Sequence, residues 1–153
     1  MPTDELITAE IRAWIGRSDP PIAFDVTRRD IVKYAIATEQ RLPKYLCGDE
    51  APPMFLFGAD RPLTALADLG PDGLRCDSLL PDLPLKRVMA GGIRQRYHRA
   101  IRPGDRLVIA KTITDIYAKQ GSSGPLIFVV YALTVTTAAG ELVMEETQTR
   151  INR

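Results

Sequence analysis

Histidine, cysteine and aromatic side chains are scarce in this chain of 153 residues, and each scarcity removes a class of function. A single histidine, His98, cannot build a His-rich metal centre, and the two cysteines, Cys47 and Cys76, make neither a metal spacing nor a disulfide framework. Such cysteine usage predicts a reducing, cytoplasmic setting. Charge of one sign is lacking too. Lys and Arg number 20 against 19 Asp and Glu, so no global field recruits nucleic acid or an anionic membrane. The longest apolar run, Leu126 to Leu133, falls far short of the ~20 residues that a membrane span needs. The chain starts Met-Pro-Thr-Asp-Glu, acidic where a secretory leader is basic, which predicts a soluble intracellular protein. Also missing are a Walker A pattern, a Gly-x-Gly-x-x-Gly after a strand, a Gly-x-Ser-x-Gly elbow and a metal cluster. No metal and no cofactor are expected.

What is present points to one α+β domain over residues 1–153, a size that buries ~70 % of the unfolded surface. Thr3 is placed to cap a first helix with Ile7, Ile11, Trp14 and Ile15 on one face and Gly16 at its end. After the rigid Asp19-Pro20-Pro21 turn, Ile22 to Val26 reads as a short strand. Thr27 and Asp30 then form a capping-box pattern ahead of Ile31-Val32-Lys33-Tyr34-Ala35-Ile36-Ala37, a helix apolar on most sides and so expected to be buried on most sides. Pro43 disfavours helix at Leu42. Residues 48–85 are rich in proline and glycine, with a short helix near Leu63 to Leu69, and form a loop or overhang long enough to have a role.

Four strand-like stretches follow: Ile93 to Ile101, Leu107 to Ala118, Leu126 to Thr136 and Glu141 to Ile151. Their short connections, among them the type II turn pattern Arg102-Pro103-Gly104-Asp105, predict an antiparallel meander. The apolar Leu126–Leu133 run predicts a central strand covered on both faces. One helix supplies one cover, so the other is expected from a partner or a second copy. A long antiparallel sheet wrapped around one buried helix is a hot-dog arrangement.

Several pieces in order resemble the MaoC-like hydratase/dehydratase group, specifically its N-terminal-type half, the FAS1-like dehydratase domain. They are Ile15-Gly16-Arg17 with Pro20-Pro21, Val26-Thr27-Arg28 with Asp30-Ile31, Tyr34-Ala35 and Ala51-Pro52-Pro53-Met54-Phe55, then Met89-Ala90-Gly91-Gly92, Tyr97-His98-Arg99 and Arg102-Pro103-Gly104-Asp105. The resemblance implies a double hot-dog of two such units and acyl thioesters of coenzyme A or acyl carrier protein as ligands. Catalytic members carry a Gly-Asp-x-Asn-Pro-x-His loop at the end of the buried helix, with the Asp and His as acid/base pair. With Tyr34-Ala35 and Pro43 fixed, Glu39 stands at the Gly, Gln40 at the Asp, Leu42 at the Asn and Tyr45 at the His. Gln40 cannot take a proton as a general base, and a tyrosine with an unperturbed pKa of about 10 is poorly suited to the work.

The resemblance thus implies a subunit of an (R)-specific enoyl-CoA hydratase or 3-hydroxyacyl-thioester dehydratase, a lyase of fatty acid type. This chain is expected to be the non-catalytic partner that shapes the acyl pocket. A catalytic MaoC-like chain, or a second copy, is the expected partner. The alternatives are a self-sufficient homodimeric hydratase or thioesterase using Glu39, and a thioester-binding protein without turnover. Expected ligand contacts are Gln40, Tyr45, Met54, Phe55, Gly91 and Gly92, with no catalytic residue unless Glu39 serves. Arg94, Arg96 and Arg99 are candidates for coenzyme A phosphates, against the commoner role of a solvated strand face. His98, on a basic strand face, is expected to be structural, and Asp49 and Glu50 are weaker candidates than Glu39.

Overall fold

A computed structural model describes residues 3–153. No helix in it is long and apolar enough to cross a membrane. Five strands form one antiparallel sheet, β1 (Ile22–Asp25), β2 (Val88–Tyr97), β3 (Arg106–Gly121), β4 (Gly124–Thr137) and β5 (Leu142–Asn152), in the order β1-β3-β4-β5-β2. Helix α2 (Arg28–Ala37) follows β1 and lies on the core face, and this is the hot-dog fold. Thr27 caps its start as expected, the Asp30 N–H donating to Thr27 Oγ1 at 3.1 Å, but the return bond differs from a capping box: the Asp30 carboxylate accepts from the Thr27 hydroxyl at 2.6 Å. Strand β4 is central, as its apolar run requires, and sends Ile127, Val129, Tyr131, Leu133 and Val135 into the core with Ile31 of α2.

Four expectations change. The first helix does not run unbroken from Thr3: a 3-10 turn, Thr3–Leu6, precedes α1 (Ala9–Arg12). Thr8 caps α1 by accepting from the Ile11 N–H at 3.3 Å, so a second hydroxyl restarts the helix where a continuous one was expected. Helix α2 is buried along one stripe, Ile31 and Ala35, while Ile36 on the opposite side stays 64 % exposed. Pro43 opens a further helical turn, α3 (Pro43–Leu46), at the N1 position where its missing N–H costs nothing. The sheet, finally, is not a simple meander. Strand β2 starts earlier than expected, at Val88, and lies beside β5 on the far edge from β1.

Residues 98–105 make that crossover, passing around the β4–β5 hairpin to bring Arg106 into register with Asp25. Arg99 clamps it. Its guanidinium donates to both Asp105 oxygens, at 2.8 and 3.1 Å, and reaches Glu141 at 3.3 Å. Burial alone would raise Asp105. Hydrogen bonds from Arg99 and the Arg102 N–H, with the charges of both arginines, outweigh it and hold the carboxyl below its ordinary range. Arg99 is thereby committed to the fold and is not free for a phosphate.

The long 48–85 segment is mostly packed, with Phe55, Leu56, Leu79 and Leu83 buried. The Tyr131 hydroxyl donates to Leu79 O at 3.1 Å, Lys111 pairs with Asp60 at 2.9 Å, Arg150 pairs with Asp77 at 3.2 Å, and Asn152 Nδ2 donates to Leu85 O at 2.9 Å. Only its middle projects, carrying exposed Leu63, Leu66 and Leu74, and the expected helix there is a 3-10 turn, Leu66–Asp68.

Asp105→Asn should cost about 2 kcal/mol at neutral pH, the scale of a charged hydrogen bond lost in a mostly buried site. The folded pKa is depressed, so this stabilisation is complete above the unfolded aspartate value and fades as pH falls through the folded one. Denaturant unfolding of the parent and the variant should therefore converge at increasingly acid pH.

Candidate functional site

The site is built where α3 and the chain after it meet the end of β2 and the crossover that follows, while the end of α2 leads into α3 without lining the site. A pocket of about 220 Å³ opens there, lined by Tyr45, Glu50, Pro53, Tyr97, His98 and Arg99 among others. A wider groove of about 570 Å³ lies at the opposite end of β2, with Lys86, Arg87 and Arg153 on its walls. It holds none of the expected site residues.

Helix α2 ends in a Schellman motif. The Gln40 N–H donates to Ala35 O at 2.9 Å, and the Glu39 N–H donates to Ile36 O at 3.2 Å. Its C′ residue must be left-handed, and Glu39 has φ +54°. This is the position of the glycine in the motif quoted above. A glutamate there carries backbone strain that glycine would not. Its side chain is exposed. Gln40, half-buried beyond it, donates from Nε2 to Thr38 Oγ1 at 3.3 Å and is not among the residues lining the pocket.

Tyr45 is half-buried on the pocket wall with Lys44 Nζ 4.9 Å from its ring centroid. Met54 does not line the pocket but bonds to a residue that does: its N–H donates to the Tyr97 hydroxyl at 3.1 Å, and its φ of +66° is again left-handed. Phe55 lies deeper, edge-on to both Phe24 and Tyr34 at ring-centroid distances of 6.0 and 5.7 Å. Gly91 and Gly92 sit at a bulge in β2, away from this pocket. A Cβ on Gly91 would come within 2.8 Å of the Thr149 side chain, and Gly92 has φ +129°, so the bulge itself demands the glycine pair. The structure thus places Tyr45 on the pocket wall and Met54 behind Tyr97, and leaves Gln40, Phe55 and the glycine pair elsewhere.

The other candidates have partners. Glu50 pairs with Lys44 at 2.8 Å, Asp49 pairs with Arg28, and His98 Nε2 lies 2.8 Å from Glu145. Arg94 and Arg96 stand in register with Thr147 and Glu145 on the outer face. No three His, Cys, Asp or Glu side chains among the described residues converge as metal ligands.

Sequence reasoning missed the polar row beneath this pocket. Tyr97 donates to Gln95 Oε1 at 2.8 Å, and Gln95 and Gln148 each donate from Nε2 to the Glu146 carboxylate at 2.5 Å. Burial raises the Tyr97 pKa, the Met54 N–H opposes that, and the charge of Glu146 adds to it. The signal in the sequence was Glu146 and Gln148, polar residues at alternate positions on the inward face of the last strand.

A family model for the FAS1-like dehydratase domain region matches residues 13–146, and the chain belongs to this family. It is 28 % identical over 123 residues to mesaconyl-C(4)-CoA hydratase of Chloroflexus aurantiacus, covering 80 % of this chain and 44 % of that protein. The chain therefore spans less than half the length of that relative. Among solved structures, the fold matches the ChsH1–ChsH2 complex of Mycobacterium tuberculosis with TM-score 0.70 at 21 % identity, over 98 % of this chain and 90 % of that one. It also matches the HadBC (3R-hydroxyacyl-ACP dehydratase) complex of the same organism with TM-score 0.66 at 20 % identity, over 90 % and 96 % of the two chains. Solved MaoC-like dehydratases share the fold, in keeping with the group that the sequence resembles.

If Glu39 serves only as the helix terminator, Glu39→Gly should raise stability by up to about 1 kcal/mol and leave thioester binding or turnover unchanged. Thermal melts beside a thioester assay check both halves of that expectation.

Proposed function

We propose that this chain is the non-catalytic half of a hot-dog hydratase/dehydratase acting on acyl thioesters, paired with a MaoC-like chain that supplies the acid/base couple. The observation that carries this reading is the end of α2. Where catalytic members hold Asp and His, this chain has an amide hydrogen-bonded to Thr38 and a phenol on the pocket wall. The pocket's own carboxylate and imidazole, Glu50 and His98, each face an ion-pair partner. The names of the relatives support both kinds of thioester, since one is a hydratase of a coenzyme A ester and another a dehydratase of an ACP ester.

The pairing surface follows from the sheet's edges. Strand β2 is a ten-residue edge strand with Val88, Met89, Ile93 and Tyr97 all exposed. A long unpaired edge with these apolar side chains offers a place for another strand, while the Gly91–Gly92 bulge and the arginines Arg94 and Arg96 restrict which strand fits it. Exposed Ile36, Leu42 and Leu46 at the end of α2 and on α3 add apolar surface for a partner to cover. Such a partner would close the pocket and give it a second wall, and the acyl group would lie between the two chains. Two solved neighbours come from complexes named for two components, HadBC and ChsH1–ChsH2, which favours an unlike partner.

Hydration of crotonyl-CoA, followed by loss of the conjugated thioester absorbance, tests the reading. Turnover should appear only when the chain is co-expressed with a MaoC-like protein encoded beside it. Turnover by the chain alone, abolished by Glu39→Gln, would overturn it. The surface has its own test: Ile93→Glu should prevent association in sedimentation while the circular dichroism spectrum stays that of the parent.

A further inference from the structure

Glu146 is 5 % exposed and makes no ion pair among the described residues. Its neighbours are two amides. Gln95 lies directly across from it on β2, and Gln148 lies two residues along β5 on the same face. Each gives its Nε2 to one carboxylate oxygen at 2.5 Å. A carboxylate can only accept, so both amides must turn their NH₂ ends toward it. That leaves the Gln95 carbonyl pointing outward along the row, where it takes the Tyr97 proton at 2.8 Å.

The phenolic oxygen is then specified from two sides. It gives its proton to Gln95 and accepts the Met54 N–H at 3.1 Å. Met54 is held left-handed at φ +66°, an apolar side chain in a conformation that persists only where the surroundings impose it. One lone pair remains on the phenol, and Tyr97 lines the pocket.

We propose that Glu146 is a positioning residue which, through Gln95, fixes Tyr97 as a hydrogen-bond acceptor for a donor group of the bound thioester. The proposal rests on the acyl-thioester reading given above. A phenol so wired cannot protonate a thioester carbonyl, because its only proton is already given away. The ligand chemistry it selects is an O–H or N–H. Two parts of a thioester ligand carry one: the 3-hydroxyl of a hydroxyacyl group and the amide N–H groups of the pantetheine arm.

Three variants separate direction from mere packing. Tyr97→Phe removes the acceptor. Gln95→Lys keeps Glu146 satisfied, but its ammonium has only donors, so it reverses the bond to the phenol and turns the phenolic proton toward the pocket. The double exchange Q95E/E146Q moves the charge one strand over and reverses only the bond between residues 95 and 146, while Tyr97 still donates to residue 95 and Gln148 still donates to residue 146. Binding of (R)-3-hydroxybutyryl-CoA and of crotonyl-CoA would be measured by calorimetry for each, beside thermal melts. Each is co-expressed with the MaoC-like chain encoded beside it, inactivated at that chain's acid/base couple so that the esters are not interconverted. Tyr97→Phe and Gln95→Lys should each weaken binding by roughly three- to tenfold, the scale of one hydrogen bond. The double exchange should bind like the parent. Loss confined to the hydroxyacyl ester identifies the 3-hydroxyl as donor, and equal loss for both esters identifies the pantetheine amides.

The tyrosine ¹³Cζ resonance that vanishes in Tyr97→Phe reports the wiring without any ligand. Its titration should move to lower pH in Gln95→Lys and not in the double exchange. Parent-like binding by Tyr97→Phe or by Gln95→Lys would overturn the proposal, as would loss of binding in a well-folded double exchange. If the parent binds neither ester, the acyl-thioester reading falls, and the assigned acceptor role falls with it if the titration also fails to move.

Discussion

The Arg99 clamp braces the crossover on which the order of the sheet depends. A turn of the Arg102-Pro103-Gly104-Asp105 kind would ordinarily fold one strand back on the next, and β2 would then lie against β3. Instead the guanidinium ties the crossover's far end, at Asp105 before β3, to Glu141 in the β4–β5 connection that the crossover passes. The place beside β3 goes to β1, and β2 is carried to the far side of β5. The exposed strand, the pocket at its end and the buried acid beneath it all follow from that one displacement. An ion pair with both side chains about four-fifths buried is a poor source of net stability, but breaking it leaves an uncompensated charge. Its value here is topological.

The segment joining α3 to β2 shows how a loop this long stays attached to a sheet. Polar side chains on the inward face, Lys111, Tyr131, Arg150 and Asn152, reach up to backbone carbonyls and carboxylates of the segment. Lys111 also lies over the Tyr131 ring at 4.6 Å, so the ammonium keeps a favourable contact on each side. Burial pushes the Tyr131 phenol far above its ordinary range, so it stays a hydrogen donor to Leu79 O at any physiological pH. The sheet's inward face is therefore divided, with α2 over one part and a hydrogen-bonded strap over another.

Features that depend on neighbours in sequence were legible before the structure. The Thr27 cap, the stop before Pro43 and the central position of β4 rest on local chemistry or on period, and the structure has all three. Strand order was not legible, because a Pro-Gly turn fixes the direction of the chain and says nothing of which strand receives it. The polar row under the pocket was hidden for a related reason. Gln95 and Glu146 are 51 residues apart, and only register places one opposite the other. Of the expected ligand contacts, Tyr45 came from the catalytic-loop comparison and lies on the pocket wall, while Met54 came from the ordered family pieces and touches only the Tyr97 hydroxyl there. Tyr97 was in view as part of one piece, but its role needs Met54 in an unusual backbone conformation, which no residue type announces. The Glu39 carboxylate drew attention as a replacement acid, while its backbone angle shows why glycine suits that position.

The two margins of the sheet are unlike. At one side β2 runs ten residues with its backbone open, and at the other β1 runs four, preceded by Pro20 and Pro21. Short strands and prolines are poor templates for pairing. A sheet with one inviting margin and one blunt margin can be extended once and no further. Joined β2 to β2, two such units would present only blunt margins to whatever comes next. An association through β2 would thus be self-limiting, because it would use the one open margin and leave margins that resist further addition.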